Sequence, residues 1–458
     1  MWQSYVPATD VPKTKQPRFT SPISFLSQPL FTLLTALLML SLTPTLVKAN
    51  LIDGCAESYD SNLDYFPDKI NVEHASFKVE YKKNYKLVTN LWTSEQYYLY
   101  QCGTPAPTNS SIKSFSIPVK RAALASTVDL TFMERLGLRT SIEYVQGPQY
   151  ISSPCLRASV TQGLIQALSS NSTIKKTQLS LIDVFFTDSV DPSDLNAVTL
   201  STAYDPGTLN RSEWIKFISL FFNLEATATR VIDAIDLTYG CTKNLAASST
   251  QFAPLKVAWI DYKNYQANLY AIDVAAYKLQ FVQDAGGITV APVNNYETAD
   301  ITIWQENLKD VDVLIDQTYL GTLETFYTNF KLNATSNFKF IQNKQIYRFD
   351  KLQSELGALD WFESAVANPD AVLQDILTFT KPHLNFNHER IWFRNVYINE
   401  PVVYESTCSD VTSSTSTRAS SCELKVDSVD PTPTSGFVPL MPNHYVMIII
   451  SLIFILFY

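Results

Sequence analysis

Between Asn50 and about Phe115, apolar and polar residues alternate in short runs such as Phe77-Lys-Val-Glu-Tyr, Tyr85-Lys-Leu-Val and Gln96-Tyr-Tyr-Leu-Tyr-Gln. A period of two, rich in aromatic and β-branched residues, predicts strands of an antiparallel layer. The pattern then changes. The apolar run from Ile117 ends in Ser126 and Thr127, and Asp129-Leu-Thr-Phe-Met-Glu-Arg-Leu follows with helical spacing. Further apolar runs at 179–187 and 197–202 also end in polar residues, with helix-compatible stretches between the runs. Strands alternating with helices predict βα units and a largely parallel sheet.

The most periodic stretch is 212–239, where Trp214, Phe217, Ile218, Phe221, Leu224, Ala228, Val231, Ile232, Ile235 and Tyr239 recur at steps of three and four. One stripe on one helix accounts for that spacing, and such a helix reaches roughly 40 Å. Asn210, three residues before Glu213, suits an N-cap, and Gly240 suits a C-cap. A second alternating block starts at Leu255, shows helical spacing over Tyr270–Asp284, offers strands at Ile288 and over Val311–Asp316, and closes on a helix over Ala371–Thr380. The predicted class is α/β: two α/β lobes joined by a long connecting helix, with an N-terminal β-rich extension. The expected boundaries are 50–115 for the extension, 116–211 for the first lobe, 212–247 for the connecting helix and 248–395 for the second lobe.

The two ends read differently. Residues 1–49 place Lys13, Lys15 and Arg18 ahead of a short apolar run that closes on Val47-Lys-Ala, the layout of a secretory signal peptide, with a signal anchor as the alternative. The run falls short of the ~20 residues that span a bilayer. Residues 396–435 read as a Ser/Thr-rich stalk. The apolar tail at 436–458 suits a glycosylphosphatidylinositol attachment signal, with a short tail anchor or a buried strand as alternatives. The expected route is the secretory pathway to the outer face of the plasma membrane, with the membrane contacted through that C-terminal anchor. In that compartment disulfides are the default for the six cysteines, in a pairing the sequence leaves open. Sequons at Asn109, Asn171, Asn210 and Asn333 agree with it. Without the two ends the net charge moves from −9 to −12, because four basic residues and one acidic residue are lost. That balance excludes a nucleic-acid binder; it serves solubility and at most mildly favours a cationic ligand.

Catalytic signatures are missing: the chain has no Gly-x-Ser-x-Gly, His-Glu-x-x-His, Walker or dinucleotide fingerprint, so a binding protein is expected rather than an enzyme. His383 and His388 lie five apart, off the spacing of ligands on one helix face, His74 stands alone, and His444 falls in the tail. No metal site is expected from them.

Four blocks, in this order, resemble the class III periplasmic substrate-binding proteins. They are Ser-Thr-x-x-Leu-x-Phe-x-Glu at 126–134, Glu213-Trp-Ile-Lys-Phe with Phe221-Phe-Asn, Tyr277-Lys with Asp284-Ala-Gly-Gly, and Phe362-Glu with Asn368-Pro-Asp-Ala-Val-Leu-Gln-Asp and His383. The resemblance covers about residues 75–395 and implies two lobes on a rigid helix with ligand in the cleft between them. It further implies a compact small-molecule ligand, a ferric siderophore, haem or cobalamin, with a transporter as partner and no covalent cofactor. The sequons, cysteines and expected anchor depart from the bacterial pattern and suggest a eukaryotic surface form. The alternative is a surface adhesion or structural protein that keeps the fold without binding. In open α/β sheets ligands sit beyond the carboxyl ends of the strands. That rule selects Ser126, Thr127, Thr187, Asp188, Tyr204 and Asp205 on the first lobe, and Asp261, Tyr262, Gln317 and Tyr319 on the second. Helix caps and turns are the plain reading of each taken singly.

Overall fold

The computed structural model describes residues 49–264, 268–290, 297–318, 321–384, 386–411 and 421–422. The anchor signal at 436–458 and the expected leader up to residue 48 lie outside the described residues. Among the described residues no helix is long and apolar enough to cross a membrane.

The N-terminal sheet runs β1 (Phe77–Tyr81), β2 (Tyr85–Asn90), β3 (Gln96–Gln101) and β4 (Lys113–Ile117), in that order. The first three pair antiparallel, as their alternation predicts, but β4 joins β3 in parallel. The connection over 102–112 makes the crossover that parallel neighbours require. The first lobe is built on β5 (Ala122–Leu124), β6 (Ile142–Val145), β7 (Gln166–Ala167), β8 (Val184–Thr187) and β9 (Ala197–Thr199), a parallel sheet in the order β7-β6-β5-β8-β9. Tyr65, Phe77 and Tyr97 of the extension share one core with Leu124 and Phe186 of this lobe.

The second lobe centres on β10 (Lys256–Lys263), which pairs in parallel with β14 (Val313–Asp316), itself parallel to β15 (Ile346–Arg348). The flanking strands β11 (Leu269–Asp273) and β13 (Glu297–Thr298) run antiparallel on one side, and β17 (Arg394–Asn395) does so on the other. The short β12 (Ile288–Thr289) pairs with the start of β10. Residues 257–260 and 313–315 are all buried, so this sheet is covered on both faces, and its strands read as continuous apolar runs. The helix expected over 270–284 divides into β11 and a helix at Ala276–Asp284, because the short apolar run Tyr270-Ala-Ile fits either period and pairing with β10 decides it.

The connecting element is not one helix. Thr208–Ser212 and Trp214–Ser219 are short helices, a turn follows at 220–224, and the long helix spans Glu225–Ser248. The turn centres on Asn223 at φ 57°, a left-handed conformation that Asn tolerates better than most residues. Asn223 Nδ2 donates to the Leu51 carbonyl at 2.6 Å and to Gln101 Oε1 at 2.9 Å, while its Oδ1 accepts from Lys86 Nζ at 2.8 Å. These bonds to the extension hold the break open within an unbroken apolar stripe. Gly240 lies inside the long helix, and Asn210 lies inside a short one, where it donates to the His74 carbonyl instead of capping.

Three disulfides join Cys55 to Cys102, Cys155 to Cys408 and Cys241 to Cys422. They change the picture of the segment read as a stalk from 396. The strand β18 (Val403–Tyr404) pairs with β16 (Leu352–Gln353) of the second lobe, Arg157 of the first lobe donates to the Glu405 carbonyl at 2.6 Å, and Cys408 is bonded to the first lobe. Residues 396–411 thus cross from one lobe to the other as a strap.

Candidate ligand-binding site

A cavity of about 300 Å³ lies between the lobes. Val128, in the tight turn after β5, and Thr208 and Arg211 on the first short helix bound one side. Asp261 of β10, Gln317 just beyond β14, and Tyr277, Lys278 and Phe281 on one helix bound the other. Phe349, Trp361 and Phe362 form an aromatic wall, with Ala365 and Val366 beside them.

The two cations at this cavity are not equivalent. Lys278 Nζ lies 2.5 Å from Asp273 Oδ2 and 2.5 Å from Gln317 Oε1, and Gln317 Nε2 closes the triangle on Asp273 at 2.8 Å. Burial pushes the Asp273 carboxyl up, but the Lys278 charge and the Gln317 bond outweigh it and hold the group below the usual carboxylate range. Lys278 is therefore committed. Arg211 is not: its Nε donates to the Thr202 carbonyl at 3.1 Å, its guanidinium lies 4.2 Å from the Tyr277 ring centre, and no carboxylate pairs with it among the described residues. Asp261 accepts no hydrogen bond from another described side chain, and burial pushes its carboxyl up, helped by Asp316 and opposed by Lys263. The arrangement offers a planar cation against an aromatic face and, across the cavity, a half-buried acid.

Beside this cavity the lobes are docked through buried carboxyls. Glu363 accepts from the Ser152 and Ser153 amides of the first lobe at 2.6 and 3.0 Å, and burial, with Asp360 next, pushes it up to about 8. Asp360 accepts from Ser152 Oγ at 2.9 Å and Trp392 Nε1 at 2.9 Å, and Glu134 from Arg139 at 2.8 Å. A protonated Glu363 lets three carboxyls share one buried interface.

Of the residues selected from the sequence, Asp261 and Gln317 line the interlobe cavity. Ser126 and Thr127 line a separate, more open groove on the first lobe, where Ser126 Oγ also accepts from the Val128 amide at 3.2 Å. Thr187 is buried beside Ser189, and Asp188 is exposed. Tyr204 is 61% exposed and bounds neither space. Asp205 is buried for a structural reason, accepting from the Ser76 amide at 2.9 Å and Trp214 Nε1 at 3.1 Å. Tyr262 packs on Tyr270 and donates to Asn268 at 3.0 Å. Tyr319 lies outside the described residues. Arg211, Tyr277, Lys278 and Trp361 were missed because they sit on helices, which the strand-end rule does not search. Tyr277-Lys and Phe362-Glu did stand in the blocks that carry the resemblance.

No family model and no curated protein matches the chain. Among solved structures it is similar to a periplasmic binding protein from Veillonella parvula, at 13% identity and a TM-score of 0.43, over 67% of this chain and 98% of that one. It is also similar to a periplasmic heme binding protein from Pseudomonas aeruginosa (12%, TM-score 0.41, 60% and 95%) and an ABC transporter substrate-binding protein from Listeria monocytogenes (15%, TM-score 0.42, 57% and 99%). At these scores the likeness carries no argument about function, and the site's chemistry rests on the chain's own residues.

Proposed function

We propose that the chain is a ligand-binding protein of the secretory pathway, not an enzyme, and that it holds a compact, partly planar acid between its lobes. The observation that carries this reading is the uncommitted Arg211 guanidinium, stacked on Tyr277 at an aromatic cavity of about 300 Å³. A guanidinium without a carboxylate partner recognises a carboxylate, phosphate or similar anion by paired hydrogen bonds, and the aromatic wall supplies flat apolar contact. The volume is at the small end for ligand cavities, which favours a compact solute over haem or cobalamin; a ferric siderophore enters only as a small chelate. Delivery to a transporter and attachment through a C-terminal lipid anchor belong to the same proposal.

The test is calorimetric titration with compact aryl carboxylates and aryl phosphates, ferric siderophores, haem and cobalamin, on the wild type and Arg211→Met. Compact acids should bind the wild type and lose about tenfold or more in the variant, a loss of about 1.4 kcal/mol. Binding of none of the panel, or equal binding by Arg211→Met, contradicts the reading. In that case the alternative, a surface protein that keeps the fold without a ligand, is favoured.

A further inference from the structure

His74, isolated in the sequence, is not isolated in the fold. Its Nε2 lies 3.5 Å from Asp236 Oδ2 on the long helix, and Glu73 brings a second carboxylate, so that one ligand atom from each of the three lies within 4.8 Å of the others. The backbone that presents Glu73 and His74 is pinned. The buried Glu213 carboxylate accepts from the amides of Glu73 at 3.0 Å, His74 at 2.6 Å and Ala75 at 2.7 Å, and Asn210 donates to the His74 carbonyl. The backbone that carries two of the three donors is thus held in place before anything binds. Asp236 Oδ1, moreover, is buried with no hydrogen-bond partner among the described residues, a state that ordinarily costs free energy. Glu73 is exposed, and its carboxylate accepts from the Asn71 side-chain amide at 3.3 Å, a surface contact that leaves it able to close on an ion.

The charges complete the case. Glu73, Asp236 and Glu213 bring three carboxylates to this region against one Lys216 ammonium, which donates to Glu213 at 2.8 Å. The carboxylates outnumber the ammonium by two, which suits a divalent cation. An imidazole with two carboxylates suits borderline metals of the zinc type, whereas calcium and magnesium prefer oxygen ligands alone.

We propose that Glu73, His74 and Asp236 bind one zinc-type divalent cation, which ties the segment leading into the N-terminal sheet to the long helix. The site lies on residues other than those lining the interlobe cavity and does not depend on the ligand proposed there.

The experiment is calorimetric titration of the full chain with zinc chloride near neutral pH, with calcium chloride as the control. One equivalent of zinc and no calcium should bind. His74→Ala and Asp236→Asn should weaken zinc about tenfold or more, and Glu73→Gln less. Because Glu73 is exposed, Glu73→Gln keeps the test valid if the other two variants fail to fold: it should weaken zinc while the metal-free melting temperature stays unchanged. The proposal is overturned if the folded wild type takes up no zinc, or if the variants that fold bind zinc with wild-type affinity and stoichiometry.

Discussion

At the scale of single residues, net charge is a poor guide to the site. The balance of the whole chain is acidic, yet the uncommitted charge at the interlobe cavity is the Arg211 guanidinium. Asp129 illustrates how burial sets a residue's chemistry. It accepts from Thr202 Oγ1 at 3.2 Å, and burial, opposed by that bond, pushes its carboxyl up to about 7. Between pH about 4 and 7 the native state holds a proton that the unfolded chain has released, so this group's contribution to stability falls as pH rises through that window. Asp129→Asn removes the proton exchange and keeps an acceptor for Thr202. Urea midpoints of the variant should therefore rise relative to wild type from about pH 4.5 to about pH 7.5; a constant difference would sink the assignment. The strand-end rule reached Asp261 and Gln317 because both follow from the sheet's topology. It also selected Thr187 and Asp205, whose polar groups serve Ser189, Ser76 and Trp214, since a polar residue after a strand looks the same whether it meets a ligand or a neighbouring amide.

At the scale of elements, alternation and apolar runs were enough to place the strands β1, β2 and β3 and, in the lobes, β5, β8, β9, β10 and β14, but not β6, whose four residues are too short a run to show a period. The break at 220–224 was not legible, because the apolar stripe runs through it and the groups that hold it open come from more than a hundred residues away. Its neighbour Lys86 is fully buried, donates to the Leu220 carbonyl at 2.9 Å and forms an ion pair with Glu225 at the start of the long helix. Removing one partner of a buried pair leaves the other charge uncompensated, at about 3–5 kcal/mol. Lys86→Met should lower stability by that order in chemical denaturation, and the double variant Lys86→Met with Glu225→Gln should recover part of it. If the double variant is as unstable as the sum of its parts, the two side chains are not coupled. The sequons divide at this scale too: Asn171 caps a helix from an exposed position, whereas Asn210 is partly buried and bonded to His74. Asn210 should stay unmodified in protein secreted from a glycosylating host, which peptide mapping reads directly.

At the scale of the molecule, two α/β lobes are joined by more than a connecting helix. The buried carboxyls at Glu363 dock them on one side, and the strap at 396–411 crosses between them under the Cys155–Cys408 disulfide. The strap was invisible in a Ser/Thr-rich composition, because cysteine pairing is a property of the fold. That disulfide closes a span of 253 residues and stabilises by restricting the unfolded chain, by up to about 5 kcal/mol. The paired variant Cys155→Ser with Cys408→Ser should melt lower and release residues 396–411 to limited proteolysis; an unchanged digest would show that the strap is held without it. The space between the lobes is the proposed ligand site. Its most direct test is the thermal shift of the wild type and of Val366→Trp, which places an indole in the cavity, against the compact aryl acids. At about 100 times the dissociation constant a bound acid should stabilise the wild type by about 2.7 kcal/mol and leave the filled variant unmoved. An acid that shifts both proteins equally, or a panel that shifts neither, would contradict the account.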